Sequence, residues 1–215
     1  GTPLNADVGA HTITVTCTDG SSAAATDAYV LTVTNTNDAP TVASAQAAVS
    51  TAEDAVYSLD VSGNFDDEDT ADTLSFTATG MPSTMSMSTA GVLSGTPLNA
   101  DVGDHTVIVT ATDDGTGTMT VTDTFVLTVT NTNDAPTVTS ALSAASTAED
   151  GSYSLDASSM CTDVDVGDAL AYTMSGAPST LSIASGTISG TPLNADVGDH
   201  TITVTCTDDS SAAAT

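Results

Sequence analysis

The chain has 215 residues and contains no Lys or Arg against 28 Asp plus Glu, so its formal net charge is −28. Nucleic-acid binding and docking on an anionic membrane both depend on basic side chains, and the composition excludes both. Hydrophobic residues make up 40% and alternate with Thr, which sets the chain apart from disordered acidic segments. Aromatics are 3% with no Trp, so the cores must be aliphatic and small. No run approaches the ~20 apolar residues of a membrane span, and no signal peptide or sorting motif is present.

Repeats organise everything else. Gly-Thr-Pro-Leu-Asn-Ala-Asp-Val-Gly starts at Gly1, Gly95 and Gly190, 94 and 95 residues apart. Asn-Thr-Asn-Asp occurs at Asn35 to Asp38 and Asn131 to Asp134, and Thr-Ala-Glu-Asp starts at Thr51 and Thr147; both spacings are 96. A fixed period of this size marks a modular array of sandwich-sized units. The expected division is 1–34 as the later part of one repeat, 35–130 as a complete repeat with its linker, and 131–215 as a repeat without its last strand. Residues 1–26 and 190–215 differ only at Ala10/Asp199 and Gly20/Asp209, which predicts a window onto a longer polypeptide.

Along the chain, Tyr29, Leu31 and Val33 alternate with polar residues, as do Val121, Phe125, Leu127 and Val129 near the end of the middle repeat. A period of two predicts strands with one buried face, and helical spacing is nowhere sustained. Val107 and Val109 belong to a neighbouring strand of the same core. Gly-Thr-Pro, Met-Pro-Ser, Asp-Asp-Gly and Asp-Ala-Pro separate the strands as turns. Pro40 and Pro136 follow the acidic linkers and fix φ there, which favours short, stiff connections. The expected fold is all-β: tandem antiparallel sandwiches of about seven strands and 95 residues each.

Cys161 and Cys206 fall in one repeat, and their counterparts in the middle repeat are Phe65 and Ala111. Both are replaced together, which predicts a disulfide with Cα atoms about 5–6 Å apart; the alternative is two separate buried thiols. A bridge would close a loop of about 45 residues, contribute on the order of 3–4 kcal/mol, and imply an oxidising compartment. Phe65 is expected to pack over Ala111 where the bridge stands elsewhere. Cys17 corresponds to Cys206 and would find its partner before residue 1. His11, His105 and His200 sit at one strand start per repeat, with no second His or nucleophile in the pattern, and read as structural. No G-x-S-x-G, Walker loop or paired-Glu motif is present, so no enzymatic role is expected.

The run VTATDDG…FVLTVTNTNDAPTV, with TAED upstream and FDDED between, resembles the dystroglycan-type cadherin-like repeat of large extracellular surface and adhesin proteins. The resemblance covers essentially the whole chain. NTNDAP is similar to the cadherin linker D-x-N-D-N-x-P, with Asn at its first position and Ala for its final Asn. It implies a calcium cluster at each linker. At the first linker the ligands would be Asp7, Asn35, Asn37, Asp38, Asp67, Asp69 and Asp113. At the second they would be Glu53, Asp101, Asn131, Asn133, Asp134, Asp163, Asp165 and Asp208, with Asn99 a weaker candidate.

The chemistry of the residues agrees. Calcium takes six to eight oxygens at about 2.3–2.6 Å, and Asp and Asn are what each linker offers. Two carboxylates about 4 Å apart repel by roughly 4 kcal/mol at an effective dielectric of 20, and this chain holds no Lys or Arg to pair with them. The plainer reading makes the same residues turn formers on solvated loops; Asp66, Glu68 and Asp72 are expected to be solvated charge. The expected function is a calcium-rigidified stalk or fibre segment at a cell surface, with neighbouring repeats of the same polypeptide as its partners. The alternative is an adhesive module that binds a cell-surface glycan or associates laterally with identical modules.

Overall fold

The computed structural model describes residues 1–215, which fall into two compact units, Gly1–Thr130 and Asn131–Thr215. Its regular structure is strand, broken only by three-residue 3-10 turns. In the first unit, β1 (Gly9–Thr18) and β2 (Ala24–Val33) form a hairpin paired over ten residues, with Ile13 opposite Tyr29 and His11 opposite Leu31. There follow β3 (Thr41–Val42), β4 (Val49–Ala52), β5 (Tyr57–Asp60), β6 (Phe65–Asp66), β7 (Ser75–Thr79), β8 (Met85–Met87), β9 (Val92–Gly95), β10 (Gly103–Thr112) and β11 (Thr120–Thr130).

Seven of these nine make two sheets, ordered β4-β11-β10-β7 and β5-β9-β8, while β3 and β6 join in a two-residue ladder. Alternation decides which side chains go inside. Val107 and Val109 of β10 and Phe125, Leu127 and Val129 of β11 are all buried, and the residues between them are not. Leu93, Met85 and Val61 complete the cluster, with Phe65 and Phe76 edge to face at 5.4 Å between ring centroids. Ala111 lies in this core directly opposite Phe76, so the aromatic pair fills the room beside the small residue. A glycine is required at Gly80, where φ is +77° and a Cβ would strike the Thr106 carbonyl.

The second unit contains β12 (Thr137–Val138), β13 (Tyr153–Asp156), β14 (Cys161–Thr162), β15 (Ala171–Ser175), β16 (Leu181–Ala184), β17 (Thr187–Gly190), β18 (Thr203–Thr207) and β19 (Ala213–Ala214). Its sheets run β13-β17-β16 and β15-β18-β19, with β12 paired to β14. Cys161 and Cys206 form a disulfide with Cα atoms 6.6 Å apart, slightly wider than the expected spacing and within the range such bonds span. It lies in the core with Ala157, Met160, Ile188 and Val204. Cys17 is a free, exposed thiol.

Candidate metal centre

Each linker is gripped by the loops of the sandwich that follows it. In the first unit, the Asp38 backbone N–H donates to Asp69 Oδ2 at 2.7 Å, and the Asp69 N–H donates to Asp67 Oδ1 at 2.9 Å. Asn37 Nδ2 donates to Asp113 Oδ2 at 3.1 Å, while Asp113 Oδ1 accepts from the Met119 N–H. Asn35 is exposed, and its side chain makes the smallest contribution to lowering the Asp69 carboxyl. Asp69 and Asp113 are buried. Hydrogen bonds, the Asp38 N–H foremost and then Asn5, hold the Asp69 carboxyl below the usual carboxylate range.

The same arrangement recurs one repeat later, within the second unit. The Asp134 N–H donates to Asp165 Oδ2 at 2.7 Å, the Asp165 N–H to Asp163 Oδ1 at 3.0 Å, and Asn133 Nδ2 to Asp208 Oδ2 at 3.0 Å. The Asn133 bond, ahead of the backbone donors of the Ser210–Ala212 turn, lowers the Asp208 carboxyl. Asp163, Asp165 and Asp168 each bring a carboxylate oxygen within 4.8 Å of the other two.

Two kinds of residue outside the expected ligand sets enter these clusters: Asp72 with its counterpart Asp168, and Asn5. Asp72 was expected to be solvated, as Asp66 and Glu68 are, but its Oδ2 is buried without a hydrogen-bond partner. Burial, followed by repulsion from Asp69 and Asp114, raises its carboxyl above the ordinary range. Its counterpart Asp168 behaves alike: Oδ2 is buried and unpartnered, and burial and then Asp209 raise it. The second newcomer is Asn5, whose Nδ2 donates to Asp69 Oδ1 at 3.0 Å and to Asp38 Oδ2 at 3.4 Å. Asp7, two residues on, instead caps its own turn by accepting the Leu4 N–H at 2.9 Å.

Asp101 is engaged in the same way. Its Oδ2 accepts the Leu98 N–H at 3.0 Å and the Thr84 hydroxyl at 2.7 Å, and the first of these does most to lower its pKa. Glu53 is buried in the turn after β4, where its N–H donates to the Thr130 carbonyl. Asn131 is exposed. The three histidines are structural: Nε2 of His11, His105 and His200 donates to the carbonyl of Asp7, Asp101 and Asp196 in turn.

Oxygen-only donor sets, with acceptor atoms that no donor reaches, fit a hard cation. Asp67 Oδ2, Asp72 Oδ2 and Asn37 Oδ1 are such atoms in the first unit, and Asp163 Oδ2 and Asp168 Oδ2 in the second. Buried polar atoms are normally satisfied, and five unpartnered acceptors at two equivalent places are a donor set that a cation could complete. Gly115 roofs the first cluster; a Cβ there would collide with Asn37 Oδ1 and Asp72 Oδ2.

The Putative Ig domain family model matches residues 39–130 and 135–215. No curated protein matches the chain. Among solved structures, mouse cadherin-23 EC22-24 is similar at 17% identity and a TM-score of 0.57, covering 93% of this chain and 68% of that one. Human mucin-like protocadherin EC1-2 is similar at 21% identity and a TM-score of 0.50, covering 61% of this chain and 73% of its own. An endo-fucoidan hydrolase of glycoside hydrolase family 107 aligns at 23% identity with a TM-score of 0.41; this chain spans 34% of its length. These likenesses concern the fold alone.

Proposed function

Starting from a chain that belongs to the Putative Ig domain family, we propose that it is a calcium-rigidified segment of a large extracellular surface protein, built from dystroglycan-type cadherin-like repeats. The observation that carries this reading is the doubled cluster. Asp38, Asp67, Asp69 and Asp113 meet in one unit and Asp134, Asp163, Asp165 and Asp208 in the other, with matching hydrogen bonds and matching unpartnered oxygens. Asn37 and Asn133 hold the linkers on these loops. Calcium bound there would bind the linker backbone to the loops of the following sandwich and stiffen the connection. The disulfide supports an oxidising, extracellular setting.

Small-angle scattering in millimolar calcium and in excess chelator tests the proposal. Chelation is expected to broaden the distance distribution and shift its long-distance edge while each sandwich stays folded. Asp134→Ala is expected to reproduce part of that change in calcium. Profiles that are identical with and without calcium would overturn it.

A further inference from the structure

Alternation gives the sheet β4-β11-β10-β7 an outer face as well as a core, and across three of its strands that face is uncharged. The register aligns Thr77 of β7, Thr110 of β10 and Thr122 of β11 in one rank. The ranks on either side repeat it, with Ser75 and Ile108 the two departures from threonine. All nine positions are exposed or half-buried. A chain with 28 acids places none among them. Asp123, between Thr122 and Thr124, falls on the opposite face and accepts the Gln46 N–H at 2.7 Å. Ser75 donates its hydroxyl to the Thr112 carbonyl, and Thr128, beyond the ranks, donates to Asp104. No threonine of the three ranks spends its hydroxyl within the chain. The second unit repeats the arrangement where β15 meets β18, with Thr173 opposite Thr205 and Ser175 opposite Thr203.

Strand propensity accounts for threonine on an exposed strand. It does not account for the absence of every charged side chain from three adjacent strands of so acidic a molecule. Methyl and hydroxyl groups recur about 4.8 Å apart along each rank and about 6.8 Å apart along each strand, two rises of about 3.4 Å. These repeats lie close to the oxygen spacings on the prism face of hexagonal ice. Charge points the same way. A carboxylate holds its own hydration shell and counter-ions, which are costly to strip and which an ice lattice rejects. An uncharged array of hydroxyls and methyls imposes no such cost and orders water in register with the crystal.

We propose that the threonine faces of both units bind ice. Each hydroxyl donates to and accepts from lattice water, and the methyl groups between them hold the intervening waters in place. Sheet twist of about 20–25° per strand confines each match to a small patch, so binding gains its strength from one patch per repeat acting together.

Slow growth of ice from a solution of the 215-residue chain, with a small acidic globular protein as reference, tests this. The chain is expected to be enriched in the ice severalfold over the reference and to inhibit recrystallisation of ice grains. Thr77→Glu/Thr122→Glu/Thr173→Glu puts charge at three exposed positions outside the acidic clusters. It is expected to lose both effects while its far-ultraviolet circular dichroism matches wild type. If that variant does not fold, Thr77→Ser/Thr122→Ser/Thr173→Ser decides the matter. It keeps the hydroxyls and the neutrality, and is expected to lose most of the enrichment along with the methyls. Wild type partitioning like the reference, or a folded variant partitioning like wild type, would overturn the proposal.

Discussion

Asp101 shows how much one carboxylate does in these turns. Its Oδ2 takes both the Leu98 N–H and the Thr84 hydroxyl, and Asp196 repeats the pair with Leu193 and Thr180. Asp101→Ala is expected to cost about 2 kcal/mol near neutral pH, because charge-assisted bonds are lost and donors are left behind. The folded pKa is depressed, so this stabilisation is present above the unfolded carboxylate pKa and is lost as pH falls through the lower folded value. Chemical denaturation at several pH values should show the wild-type advantage shrinking in acid; a constant difference would contradict the assignment. Gly115→Ala belongs to the same scale. Its Cβ would push Asn37 Oδ1 and Asp72 Oδ2 apart, so calcium affinity is expected to fall while thermal stability of the metal-free chain stays close to wild type.

At the scale of strands, β11 and β2 are the same element in two surroundings. Leu127 is fully buried, and Leu127→Ala is expected to cost about 2–5 kcal/mol. Leu31→Ala, at the equivalent but exposed position, is expected to stay within about 0.5 kcal/mol in dilute solution. Denaturant midpoints for the two variants check this directly. Removing the bridge with Cys161→Ala/Cys206→Ala frees a 45-residue separation and is expected to lower stability by on the order of 3–4 kcal/mol, seen as an earlier transition of the second unit.

The strands were legible because alternation of Val, Leu and Phe with Thr has only one physical use, a half-buried sheet. The bridge was legible because Phe65 and Ala111 replace both cysteines at once. The parallel pairing of β4 with β11 was not, since parallel partners far apart in sequence leave no local turn signal. Asn5 and Asp72 were missed for a related reason. Asn5 stands at the repeat position of Asn99, which the sequence offers only as a weaker candidate, and an Asp among other acids on a loop looks like solvated charge until the fold brings it to Asp69.

For the whole molecule, the acidic excess and the clusters are linked. A chain of −28 with no Lys or Arg repels itself, and cations are the partners that relieve it. Diffuse counter-ions would do so everywhere, whereas the proposed calcium ions would do so at the two clusters. A calorimetric calcium titration of the 215-residue chain, run beside the Asp69→Asn/Asp165→Asn variant, separates these cases most directly. Wild type is expected to bind saturably with Kd of roughly 10⁻⁴ to 10⁻³ M, the range of extracellular modules, and the variant to lose that phase. Wild type and variant giving the same weak, unsaturating heats would contradict it.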